Sequence, residues 1–185
     1  PAGGQSCISG SRLLIHKSII DEFTQRLVNC VKKARVGNPN DPETQIGPMA
    51  NRPHYESVLE KISAAEKMGY KLVLDGRSAC REDGYYIGPT IFSNVPNNSD
   101  LAQNEVFGPV ASTESWDCED EVIHIANDTI YGLAAGIWSG DVTKAMRIAD
   151  QIEAGTIYIN NYFNAAAQSP VGGYKQSGYG RENGW

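Results

Sequence analysis

The stretch GGQSC places Cys7 directly behind Gly3, Gly4, Gln5 and Ser6. Only the thiolate form of cysteine is a good nucleophile, and a free thiol is mostly protonated near neutrality. A helix N-terminus favours the thiolate, and its N–H groups can hold an oxyanion. The following CISGSR is expected to make one such short turn. Glycines ahead of the thiol let backbone and substrate come close. The chemistry these features suit is attack on a carbonyl carbon. A buried structural cysteine is the commoner fate of a thiol, and on this stretch alone that reading leads slightly.

A cysteine–histidine hydrolase would need an imidazole in reach and a third group to orient it. His16 falls in a strand pattern and His124 in a helix pattern, which suits satisfied or surface histidines. His54 opens a helix after a polar loop, so a ligand contact is conceivable there. In NEVFGPV, Glu105 and Phe107 flank Val106 just ahead of a Gly-Pro turn. The acid can accept two hydroxyls, as from a ribose, and the aromatic can pack on a flat ring. A solvated Glu and a core Phe are the plain alternative. The glycines of SPVGGYKQSGYGRENG lack the GxxxxGK[ST] spacing, and no apolar strand runs straight into them. A tight backbone turn lining a pocket is the better reading.

The four cysteines, Cys7, Cys30, Cys80 and Cys118, form no CxxC pair, which argues against a disulfide framework or a zinc site. The chain has 185 residues, 41% hydrophobic and 21% charged, enough for one ordinary domain with a core. A formal net charge of -6 without a basic cluster argues against nucleic-acid binding. No apolar run is long enough to span a bilayer, and a reducing, cytoplasmic setting is expected.

The elements that must position these residues alternate. LLIHKS reads as a strand, followed by a helix capped by Ser18, closed by KKAR and stopped at Gly37, with Ile20, Phe23, Leu27, Val28 and Val31 on one face. Cys30 beside that stripe is expected to be packed. A second amphipathic helix runs from about Pro53 to Lys67. KLVLDG is a strand, GRSACREDG an exposed turn, and YYIGPTIF a kinked or edge strand because of its Gly-Pro. SNVPNNSD is loop and VASTESW a strand. EDEVIHIAND starts a helix and LAAGIWSG is a strand. DVTKAMRIADQIEAG is a helix with Asp141 as N-cap and Gly155 after its end, and TIYIN is a strand. This alternation predicts a single α/β layered domain with a largely parallel sheet.

Taken together, GQSCISGSR, EVFGPV, YGLAAGIW, GTIYIN and PVGGYKQSGYGRENG, in this order, resemble the NAD(P)-dependent aldehyde dehydrogenase superfamily, from Pro1 to Trp185. The resemblance implies a three-layer catalytic domain with flanking helices and Cys7 as nucleophile. Cys7 would form a thiohemiacetal with an aldehyde, pass hydride to NAD or NADP, and leave a thioester for hydrolysis. It implies that Glu105 holds the nicotinamide ribose and that Phe107 packs near the nicotinamide. Glu182 corresponds to an acid proposed to relay protons, and Lys175 to a structural lysine. Ser6, Ile8, Phe163, Asn164, Ala165 and Val171 would line the aldehyde pocket.

Two departures stand out. Val171 occupies the usual phenylalanine of PFGG, widening one pocket wall, and Ala2 stands where an asparagine is frequent. The Rossmann-type cofactor domain, an upstream general base, a second oxyanion donor and a terminal arm of the family cannot be placed. The expectation is therefore a catalytic portion of a longer, homo-oligomeric enzyme, inactive and aggregation-prone by itself. A coenzyme A-acylating semialdehyde dehydrogenase and a non-catalytic module that kept the fold are the rival readings.

Overall fold

The computed structural model describes residues 2–81, 83–164 and 166–184. The chain divides into two compact units, Pro1–Trp116 and Asp117–Trp185.

In the first unit, β1 (Arg12–His16), β2 (Lys71–Leu74), β3 (Thr90–Ser93) and β4 (Val110–Trp116) form one sheet in the order β1-β4-β3-β2. β4 runs parallel to both neighbours, with Arg12 opposite Ser112 and Thr90 opposite Val110. Only β2 is antiparallel. Of the kinked or edge strand expected around Gly88-Pro89, the edge position does not hold. β3 is central and buried along its length. Pro89 precedes the first strand residue, so no ladder N–H is lost, and Thr90 N donates to Pro109 O at 2.8 Å.

Helices α1 (Ile20–Val31), α2 (Arg52–Lys67) and α3 (Asp100–Gln103) complete this unit. Val58 and Ile62 of α2 pack with Ile87, Phe92 and Val95 in the core, and Val106 and Val110 belong to the same cluster. Asn51 caps α2 by accepting from His54 N at 2.9 Å. α3 falls in a segment read partly as loop; Ser99 caps it through Ala102 N. α1 departs from expectation at both ends. Ser18 Oγ lies 2.7 Å from His16 Nδ1 and makes no cap, and Ile19 precedes the first turn. The helix stops before KKAR, because Arg35 accepts from Gln45 and Ile46 main-chain N–H groups and Gly37 N donates to Ile46 O, closing a loop. Cys30 is exposed rather than packed. The stretch GRSA, expected as open turn, is one 3₁₀ turn at Gly76–Ala79, with Gly76 buried.

In the second unit, α4 (Glu119–Asn127) precedes β5 (Tyr131–Gly132) and β6 (Ala134–Ile137). α5 (Val142–Ala149), β7 (Thr156–Ile159) and β8 (Tyr174–Lys175) follow. β6 and β7 pair in parallel across α5, and β5 pairs antiparallel with β8. Asp141 caps α5 as expected, accepting from Lys144 N at 3.0 Å. Gly155 does not terminate that helix, which ends at Ala149. Gly155 instead allows a close backbone approach: a Cβ there would lie 1.6 Å from Gly172 O. Both units combine parallel strand pairs with helices, the α/β class the alternation predicts.

Candidate functional site

Cys7 is exposed on a turn closed by Ser9 N donating to Ser6 O at 2.9 Å. The helical turn expected after Cys7 does not form. The chain must reach β1 at Arg12, and Ser112 N already takes Ser11 O into the sheet ladder. Too few residues remain to nucleate a helix. The segment therefore offers main-chain N–H groups rather than a helix dipole. Among the described residues the N–H of Cys7 has no acceptor. Ser6 and Ile8 flank it half-buried.

Two features hold the turn. Gln5 spans a neighbouring loop with both ends of its amide, Nε2 donating to Pro48 O at 3.2 Å and Oε1 accepting from Ala50 N at 2.8 Å. Gly4, at φ 78°, lies so close to Gly108 that a Cβ would sit 2.0 Å from the Gly108 carbonyl oxygen. The glycines ahead of the thiol thus admit a neighbouring backbone turn, where the sequence suggested close approach by substrate.

That turn carries Glu105 and Phe107. Val106 is buried in the core, so the alternation of an extended segment sends its two neighbours outward. Both are exposed, and Phe107 is a non-glycine residue at φ 56°. This left-handed conformation is uncommon for a bulky residue, and such strain persists only where surroundings hold it. The holding groups come from α2. His54 Nε2 lies 2.7 Å from Phe107 O, and the two rings meet edge-on at 5.9 Å. Lys61 Nζ donates to Glu105 O. An exposed carboxylate beside an exposed ring face fits a ribose diol and a flat heterocycle, so these residues suit a nicotinamide nucleoside.

The remaining predicted residues lie in the second unit. Val171 and Glu182 pair in an antiparallel bridge, with N–H to O distances of 2.7 and 2.8 Å. Both side chains are exposed. Phe163 has φ 65° and stands edge-on to Tyr162 at 5.1 Å. Tyr162 in turn contacts Tyr158 and Trp138, and its phenol is pushed up mainly by burial and then by Tyr158. Asn164 is exposed, and Ala165 lies outside the described residues. Lys175 bonds the carbonyls of Asn127 and Thr129 and pairs with Glu153 at 2.6 Å, the structural role expected of it.

Sequence reasoning missed Gln5, Lys61 and the use of His54. The partner of each is a main-chain group more than forty residues away, and no local pattern reports such a bond. Among the described residues no cluster of His, Cys, Asp or Glu could hold a metal, and no helix is long and apolar enough to cross a membrane.

Comparison with known proteins identifies the family. The model of the aldehyde dehydrogenase family matches residues 2–185. Human 4-trimethylaminobutyraldehyde dehydrogenase is 41% identical over 186 residues, covering 98% of this chain and 38% of that protein. Cytosolic aldehyde dehydrogenase 1 of Macroscelides proboscideus is 44% identical over 181 residues, covering 98% of this chain and 36% of that protein. The crystal structure of Staphylococcus aureus betaine aldehyde dehydrogenase in complex with NAD+ matches with a TM-score of 0.95 and 40% identity. It covers 98% of this chain and 37% of that one. The chain thus spans under two-fifths of the length of these relatives.

Proposed function

The chain belongs to the aldehyde dehydrogenase family, and from that premise we propose that it is the nucleophile-bearing part of an NAD-dependent enzyme oxidising an aldehyde to a carboxylic acid. The observation that carries this reading is the packing of the Cys7 turn on the turn that presents Glu105 and Phe107, through Gly4 and Gly108. That contact supports the reading because it holds the turn of Cys7 against the turn of Glu105 and Phe107.

In the proposed reaction the Cys7 thiolate adds to the aldehyde carbon, forming a C–S bond and an alkoxide. The Cys7 N–H stabilises that oxyanion. Glu105 and Phe107 would hold the nicotinamide nucleoside, and oxidised nicotinamide would supply the hydride acceptor that takes the Cys7 thiohemiacetal to the thioester. Glu105 accepts the ribose hydroxyls and Phe107 packs near the ring, orienting the nucleoside. Water then attacks the thioester carbon, the C–S bond breaks, and the acid leaves with the thiolate regenerated. Glu182 serves as a proton-relay acid, and Ser6, Ile8, Phe163, Asn164, Ala165 and Val171 line the aldehyde pocket. The enzyme works as a cytoplasmic homo-oligomer, and the 185 residues by themselves do not sustain turnover.

The test is reduced-nicotinamide absorbance with NAD+, then NADP+, against an aldehyde panel that includes betaine aldehyde, using the enzyme in which these residues occur. Turnover abolished by Cys7→Ser, with NAD+ binding retained, is the expected result. Turnover that survives Cys7→Ser would sink the reading. Acyl-coenzyme A as product in place of the acid would redirect it to thioester transfer. Alkylation offers a second readout. Cys7, Cys30 and Cys118 are all exposed, so faster labelling of Cys7 would report reactivity rather than access.

A further inference from the structure

The proposed cofactor site leaves one side chain unaccounted for: His54. It sits in the first turn of α2, with its main-chain N–H satisfied by Asn51 Oδ1. Its imidazole faces a single main-chain carbonyl, that of Phe107, with Nε2 at 2.7 Å. A carbonyl oxygen only accepts, so Nε2 must carry the proton and donate. Phe107 is held at φ 56°, a left-handed conformation that is unfavourable for a bulky residue. Without an external hold the peptide after Phe107 would relax, and the ring would turn with it. Gly108 follows immediately and is pressed against Val58 of α2 and against Gly4. The turn is therefore buttressed by Val58 and Gly4, and His54 adds a directed side-chain hydrogen bond at the Phe107 carbonyl itself.

We propose that His54 is a positioning residue of the nicotinamide site, whose Nε2–H holds the Phe107 carbonyl and thereby keeps the strained Phe107 backbone and its ring in the presenting pose. Lys61 assists by the same means one step earlier, at Glu105 O. This rests on the assignment of Glu105 and Phe107 to the cofactor. The imidazole itself takes no part in the chemistry; its effect passes through Phe107.

Two variants separate the hydrogen bond from mere packing. His54→Phe keeps a ring against Phe107 but removes the donor. His54→Gln removes the ring but keeps an N–H at the same number of bonds from Cα. In the full enzyme, His54→Phe should weaken NAD+ binding about tenfold, read by protein fluorescence and as a raised KM for NAD+. Its KM for aldehyde and the alkylation rate of Cys7 should stay near those of the parent. His54→Gln should restore NAD+ affinity to within about threefold. Equal affinity in parent and His54→Phe, or no rescue by His54→Gln, would overturn the proposal. A readout free of the cofactor guards the argument. Amide hydrogen exchange at residues 106–108 should accelerate in His54→Phe and recover in His54→Gln. If that pattern appears while the parent fails to bind NAD+ at all, the clamp stands and the cofactor assignment falls. If exchange is unchanged, the clamp falls whatever the cofactor does.

Discussion

The two units of this chain solve the same problem differently. In residues 1–116 a four-stranded sheet and α2 enclose side chains such as Phe92, Ile62, Ile87 and Val58, each with no measurable exposure. The turns that carry Cys7, Glu105 and Phe107 are fastened to that core through Val106 and Val58. Residues 117–185 bury far less: Ile125, Ile148, Ala154 and Tyr158 remain slightly exposed, and among the described apolar side chains only Ala145 is fully enclosed. Order there comes from backbone meeting backbone, at Gly155 on Gly172 and in the Val171–Glu182 bridge. The lesson is that one loop can be positioned by side-chain packing beneath it, and another by main-chain contacts, some of which only glycine permits.

The comparison breaks most visibly in the core. Phe92→Ala should cost about 3–5 kcal/mol, whereas Ile148→Ala should cost about 2 kcal/mol, the low end for such truncations. Urea denaturation of both variants measures this, and equal losses would mean that the second unit has a core as tight as the first. Next comes the backbone contact. Gly155→Ala should destabilise by about 1–3 kcal/mol, as overpacking does. It should also accelerate amide exchange at Val171 and Glu182, while leaving exchange at residues 106–108 as it was. Unchanged exchange at Val171 would show that the glycine contact does not order the loop.

Helix caps sharpen the contrast at smaller scale. Asn51→Ala and Asp141→Ala should each cost about 1 kcal/mol by thermal melting. Only Asn51→Ala should also loosen the Phe107 turn, because its helix carries His54. The smallest expected effect is on alkaline stability. Tyr55 is pushed up to about 12 by its hydrogen bond to Cys80, then by burial and by the Cys80 charge. An unfolded tyrosine ionises near pH ~10. The fold prefers the protonated phenol, so this contribution is fully present below that value and is lost as pH rises through about 12. Tyr55→Phe should therefore flatten the fall in stability over this window, and an unchanged slope would remove Tyr55 as its cause.

How much was legible in the sequence varied with how local the cause was. α2, β4 and the cap of α5 follow from apolar periodicity and from Asp141 at the right place. The end of α1 did not, because the KKAR segment is drawn into a loop by Gln45 and Ile46, ten residues onward. The central place of β3 was hidden too, since a Gly-Pro ahead of a strand looks the same in sequence as one inside it. Cys7, Glu105 and Phe107 could be singled out by residue type, and the family resemblance supplied their roles. Lys61 and Gln5 look like ordinary surface residues until their carbonyl partners are seen.

What the sequence determined by itself is the inventory: an α/β alternation, a thiol on a glycine-rich turn, and an acid and an aromatic either side of a buried valine. These depend on neighbours within a few residues, where spacing and steric preference suffice. The tertiary structure decided how that inventory is held. It set Gly4 against Gly108, His54 under the Phe107 carbonyl and Val171 across from Glu182. Each of these joins main-chain atoms distant in sequence. Every residue carries the same backbone groups, so only the packed fold selects which of them meet.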